Sequence, residues 1–205
     1  MKTLTLLSMR LATLCFFAAI LFASVATAQD SAGVPVFQIS KAGSTINFAV
    51  KASVAIAGTF DQWDATLTFT STDVTTGVLD VEIQAASVDT GSGLKNSKLR
   101  SSDFFDVENN PLITFKSTKI LQTGSNTFEV DGNFTIRGVT KSEKLLLTVS
   151  GRGTGSGSIN GTMAFDRKQY GMNSGIPFIK IADRVEVTVN LKAKRVSGPP
   201  VALKP

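Results

Sequence analysis

The sequence contains no histidine, and its one cysteine, Cys15, lies inside an N-terminal apolar run. Without histidine, Ser-His-Asp and Cys-His catalytic arrangements cannot be built. Zinc sites draw mostly on Cys and His, so a zinc centre is not expected, and a lone cysteine cannot form an internal disulfide. Tryptophan and tyrosine occur once each, as Trp63 and Tyr170. An outer-membrane β-barrel needs Tyr/Trp girdles at both interfaces, and two residues do not supply them. Beyond residue 28 no apolar run has the roughly 20 residues of a membrane-spanning helix. Charge is also modest, with 21 basic against 16 acidic residues. The densest basic cluster is Lys192-Ala193-Lys194-Arg195, without the aromatic interleaving of a nucleic-acid surface. No nucleic-acid partner is expected.

What is present begins with a leader. Lys2 and Arg10 precede a run from Leu11 to Ala23 in which only Thr13 is polar, and Ala26-Thr27-Ala28 then offers small residues at a cleavage site. That order is the grammar of a cleavable secretory signal over residues 1–28. Its removal takes away Cys15 and three of the 14 phenylalanines, Phe16, Phe17 and Phe22.

The rest of the chain is dominated by alternation with period two. Ile46, Phe48 and Val50 alternate with polar or small residues, as do Leu79, Val81 and Ile83, and Val185, Val187, Val189 and Leu191. Such runs are strands with one apolar and one wet face. Turn-forming residues punctuate them, among them Gly124-Ser125-Asn126 and the glycine-rich stretch 151–157. That stretch lacks the order of a phosphate-binding loop and reads as a hairpin loop. The pattern predicts one all-β domain, an antiparallel sheet of about eight to ten strands joined mostly by hairpins. Residues 87–111 break the rhythm. Ser92 and Gly93 can cap a short helix from Leu94 to about Arg100. The Asp103/Asp106 pair could act as acid and base or, more simply, cap that insertion. The tail at 197–205 is Pro-rich and expected to be disordered. A single apolar face per strand requires a shared interior. The remaining phenylalanines can fill it as a core or line it as a cavity, and patterning alone favours the core.

The order of motifs resembles the YceI-like family. Phe37-Gln38-Ile39, Ser44-x-Ile46-x-Phe48 and Gly58-Thr59-Phe60 are similar to its opening strands. Ala86-Ser87-Val88-Asp89-Thr90-Gly91, then Leu99-Arg100-Ser101-Ser102-Asp103-Phe104-Phe105-Asp106-Val107, then Pro111-Leu112-Ile113-Thr114-Phe115 carry the strongest likeness. Val130 through Thr140, Phe165-Asp166-Arg167-x-x-Tyr170-Gly171-Met172 and Ile181-Ala182-Asp183-x-Val185 complete it. The likeness runs from about Val36 to Arg195. The chain departs from the family's R-D-x-H-L at Lys95-Asn96-Ser97-Lys98-Leu99, and a histidine after the second strand is absent at Lys51-Ala52-Ser53.

The resemblance implies a single lipocalin-like antiparallel barrel of about eight strands, with one short helical insertion near 92–106 and an elongated apolar cavity. It implies an exported, periplasmic protein whose partner is a long-chain apolar lipid or isoprenoid; with no histidine and no cysteine left after the leader, no enzymatic activity, cofactor or metal is expected. Stable membrane insertion is not expected, and a homodimer is left open. The expected boundaries are the leader at 1–28, a flexible stretch at 29–35, the barrel at 36–196 and the tail at 197–205. Phe48, Phe60, Phe69, Phe115, Phe134 and Phe165 are the expected cavity wall. Leu99, Phe104 and Phe105 are expected to close one end, and Met172, Ile176 and Phe178 to shape the mouth. Lys95 or Lys98 is a candidate for an anionic head group, against the plainer reading of solvated lysines. The rival readings are a structural or stress-related β-domain that binds another protein, and a lipid-modifying enzyme using Asp103, Asp106, Arg167 or Tyr170.

Overall fold

The computed structural model describes residues 33–53, 55–175 and 178–205. The expected leader, and most of the stretch 29–35, lie outside the described residues. Ten strands form one antiparallel sheet: β1 (Val36–Ala52), β2 (Ile56–Phe60), β3 (Trp63–Thr68), β4 (Val78–Gln84), β5 (Val88–Asp89), β6 (Leu112–Gln122), β7 (Thr127–Ile136), β8 (Val139–Val149), β9 (Ser156–Asp166) and β10 (Ile181–Ser197). One helix, α1 (Gly93–Arg100), interrupts them. The spatial order is β3-β4-β6-β7-β8-β9-β10-β1-β2-β5.

Long strands and a large bulge curl this sheet into a barrel. β1 and β10 pair along their length, but the register jumps between Ser40↔Lys192 and Thr45↔Asn190. The extra β1 residues bend the strand there. The Ser44 hydroxyl accepts from the Lys192 amide at 2.7 Å and fixes the bulge. The second half of β1 pairs with β2, while its first half meets the edge strand β3. Lys41 Nζ lies 2.9 Å from Asp64 Oδ1, and the rings of Phe37 and Phe69 are 5.7 Å apart.

Alternation sets what faces inward. On β7, Phe128, Val130, Phe134 and Ile136 are buried, with Gly132 on the same face. β7 turns into β8 through Arg137 (φ 53°) and Gly138 (φ 70°), with Ile136 paired to Val139. Two positive φ angles are what a two-residue hairpin turn needs to match the twist of its strands. The helix is capped as its sequence suggests, for the Ser92 hydroxyl accepts from the Lys95 amide at 3.5 Å.

The tail differs from its expectation. Residues 197–205 cross the outside of one barrel end and are tied down. The Ala202 amide donates to Thr72 O at 2.7 Å. Gln122 both donates to Lys204 O at 2.9 Å and accepts from the Lys204 amide at 2.8 Å. The partners are distant in sequence, so composition around the prolines gave no sign of them.

Candidate functional site

Two apolar cavities occupy the barrel, one at each end. The first has a volume of ≈ 510 Å³. Its wall is built from inward positions of β1, β2, β4, β6, β7, β9 and β10, and α1 lies at its mouth. Phe48, Phe60, Leu99, Phe104, Phe105, Phe134, Phe165 and Met172 all line it. Phe60 links two of these groups, its ring centroid 5.6 Å from that of Phe48 and 5.9 Å from that of Phe105. Phe134 and Phe165 stack at 5.0 Å on the opposite side. β-Branched residues on the same faces complete the wall, including Ile46, Ile83, Ile113 and Val187.

Two expected wall residues and one expected mouth residue sit elsewhere, and a second mouth residue lies outside the described residues. Phe69 follows the short strand β3 and lines the second cavity, at the far end. Phe115 is buried but lines neither cavity. Its ring lies over Gly132, so close that a Cβ there would stand 2.4 Å from Cζ. Phe178, at φ 65° in an irregular stretch, is fully exposed at 106 %. Ile176 lies outside the described residues.

The strands show what separates the cavities. On β4, Leu79 lines the second cavity and Ile83 the first, with Val81 between. On β7, Val130 and Gly132 intervene between Phe128 and Phe134. On β9, Gly161 and Met163 intervene between Ile159 and Phe165. Val81, Phe115, Val130, Leu145, Met163 and Leu191 are all buried. Together they form an apolar partition across the barrel.

Polar groups at the first cavity are few and already engaged. Lys95 Nζ spans the mouth to Ala55 O at 3.3 Å. Lys98 pairs with Asp103 and sits 5.9 Å above the Phe104 ring. Asp103 also accepts from the Ser174 hydroxyl at 3.1 Å, and these bonds, that of Lys98 foremost, lower its pKa. Arg167 is buried and donates to Met172 O, to Ser174 O at 3.0 Å, to Ala182 O at 3.2 Å and to Asp183 Oδ1 at 3.2 Å. One guanidinium thus holds both sides of the irregular stretch after β9. Tyr170 is fully buried against Phe134 and Phe165. Its hydroxyl donates to Glu143 Oε1 at 2.7 Å, and burial first, then that bond, pushes the phenol pKa up. Asp106, with φ 51°, accepts from the Asn109 and Asn110 amides and turns the chain after α1. Among the described residues no carboxylate lines the first cavity. Among the described residues no group of three potential metal ligands occurs, and no helix is long and apolar enough to cross a membrane.

The model of the YceI-like domain matches residues 37–193. The chain belongs to the YceI-like domain family. Among relatives, it is 32 % identical over 140 residues to a UPF0312 protein of Azotobacter vinelandii, covering 66 % of this chain and 70 % of that one. It is 32 % identical over 136 residues to protein YceI of Salmonella agona, covering 64 % and 71 %. Its fold is similar to that of Burkholderia cenocepacia BcnA, with a TM-score of 0.68 and 25 % identity over 76 % of this chain and 99 % of BcnA. It is also similar in fold to a polyisoprenoid binding domain from Saccharophagus degradans, with a TM-score of 0.63 at 17 % identity, covering 78 % and 99 %. In this YceI-like chain Lys95 and Lys98 are both partnered within the protein.

Proposed function

We propose that this YceI-like protein is exported through its leader and holds a long apolar ligand, an isoprenoid or acyl chain, for transport or sequestration in the periplasm. The observation that carries this reading is the first cavity. At ≈ 510 Å³ it falls within the ~300–1,000 Å³ of small-molecule sites, and its wall is aromatic and aliphatic. Each buried methylene contributes about 0.8 kcal/mol, offset in part by the ordering of a flexible chain. Affinity therefore comes from chain length and dryness rather than from polar anchors. Binding is favoured over catalysis because the charged groups reaching the cavity are committed elsewhere. Arg167 holds backbone carbonyls and Asp183, and Lys98 holds Asp103.

The mature protein, purified from its native host, tests the reading by mass spectrometry of an organic extract alongside intact native mass spectrometry. A long-chain apolar molecule at up to one copy per first cavity is expected. An empty protein that also fails to bind fluorescent apolar lipids would overturn it.

A further inference from the structure

The second cavity, ≈ 500 Å³, differs chemically from the first. Its inner wall is apolar, with Phe69, Leu79, Phe128, Leu147 and Ile159 projecting from strands that reach past the partition. Among the described residues its outer rim carries Arg152 and Arg195 and no carboxylate. Among the described residues neither arginine forms an ion pair. Arg152 donates to Ser125 O at 3.2 Å and to Lys204 O at 3.1 Å, and Arg195 to Gly198 O. A guanidinium has five N–H donors, so both retain capacity for an acceptor. The rim is completed by the glycine-rich stretch 151–157 and by the tail, where residues 200–203 form one wall. That wall is held by hydrogen bonds at exposed positions.

We propose that the second cavity is a separate binding site for a single-chain anionic amphiphile, with the alkyl chain against Phe69, Leu79 and Ile159 and a carboxylate at Arg152 and Arg195. A fatty-acid carboxylate has this chemistry: one unbranched chain for the apolar interior and one planar acceptor pair matched to a guanidinium. The partition makes this site independent of the first cavity, so it does not rest on the isoprenoid or acyl reading given there. The 200–203 wall is the part that moves to admit the chain, since only surface hydrogen bonds and the apolar contacts of the tail hold it.

The test uses delipidated full-length mature protein with palmitate and with hexadecanol, which share a chain length and differ in charge. Affinities are measured by titration and stoichiometry by native mass spectrometry. Palmitate is expected to occupy a site that Leu79→Trp removes and that Phe134→Trp, in the first cavity, leaves in place. The double variant Arg152→Gln/Arg195→Gln is expected to weaken palmitate at that site roughly tenfold while hexadecanol changes little. Circular dichroism checks that Leu79→Trp is folded, and the two arginine changes, at exposed Arg152 and half-buried Arg195, give a second reading that does not depend on it. Palmitate binding unchanged in the double variant would overturn the proposal, as would equal losses for palmitate and hexadecanol. Binding abolished by Phe134→Trp alone would also overturn it while leaving the first-cavity reading intact. Binding abolished by Leu79→Trp alone would support the second site and count against the first.

Discussion

The two ends of this barrel are closed by different physics. At the first cavity the closing segments are pinned by buried groups. Arg167 ties residues 172, 174, 182 and 183 together from inside, and Tyr170 seals against Phe134 and Phe165. At the second cavity the tail is held near the surface, by the backbone bond of Ala202 to Thr72, by half-buried Gln122 and by exposed Arg152. A buried charged group that loses its partners costs several kcal/mol, whereas an exposed hydrogen bond competes with water and is worth about 1 kcal/mol. The first end is thus built as a fixed container, and the second as a closure that opens at small cost.

Removing Arg167 should break the contrast most severely. Arg167→Ala leaves several carbonyls and Asp183 without their donor. A loss of about 3 kcal/mol in urea unfolding is expected, with weaker binding at the first cavity. Gly132→Ala tests the partition that keeps the two ends apart. The new Cβ would meet both the Phe115 ring and Lys116 O, the latter at 2.9 Å. An overpacking cost of about 2 kcal/mol is expected in the same assay. Phe134→Trp fills part of the first cavity and should weaken long chains roughly tenfold, short ones less. Equal weakening at all lengths would place Phe134 away from the bound chain. Deleting residues 199–205 should cost about 1 kcal/mol and leave affinity at the first cavity unchanged, whereas a loss there would show that the ends are coupled. The smallest effect at neutral pH is that of Tyr170. Its folded pKa is raised, so its contribution is complete below the unfolded value of about 10 and is lost as pH rises beyond it. Urea midpoints should therefore fall more steeply above pH 10 in the wild type than in Tyr170→Phe.

The alternation that defines each strand was readable, and with it the inward identity of Phe48, Phe134 and Phe165, while Phe60 came from the family resemblance. Alternation gives a face but not a height along the barrel axis. Phe69, Phe115 and Phe134 all point inward, yet they fall in the second cavity, the partition and the first cavity respectively. Height depends on register, and register depends on bulges such as the one between Ser40 and Thr45. Residues 170–183 follow no period, so neither the outward turn of Phe178 nor the grip of Arg167 could be read from pattern. The docking of the tail joins positions such as Gln122 and Lys204 that are far apart in sequence, and nothing local marks it.

The central claim is that the first cavity holds an apolar chain by its length. The most direct measurement is the affinity of delipidated protein for a homologous series of neutral prenyl or alkyl alcohols, read beside the same series on Phe134→Trp. Affinity is predicted to climb with each added carbon until the cavity is full and then to level off, with the plateau reached at a shorter chain in the variant. A flat series, or an identical plateau in both proteins, would contradict the account.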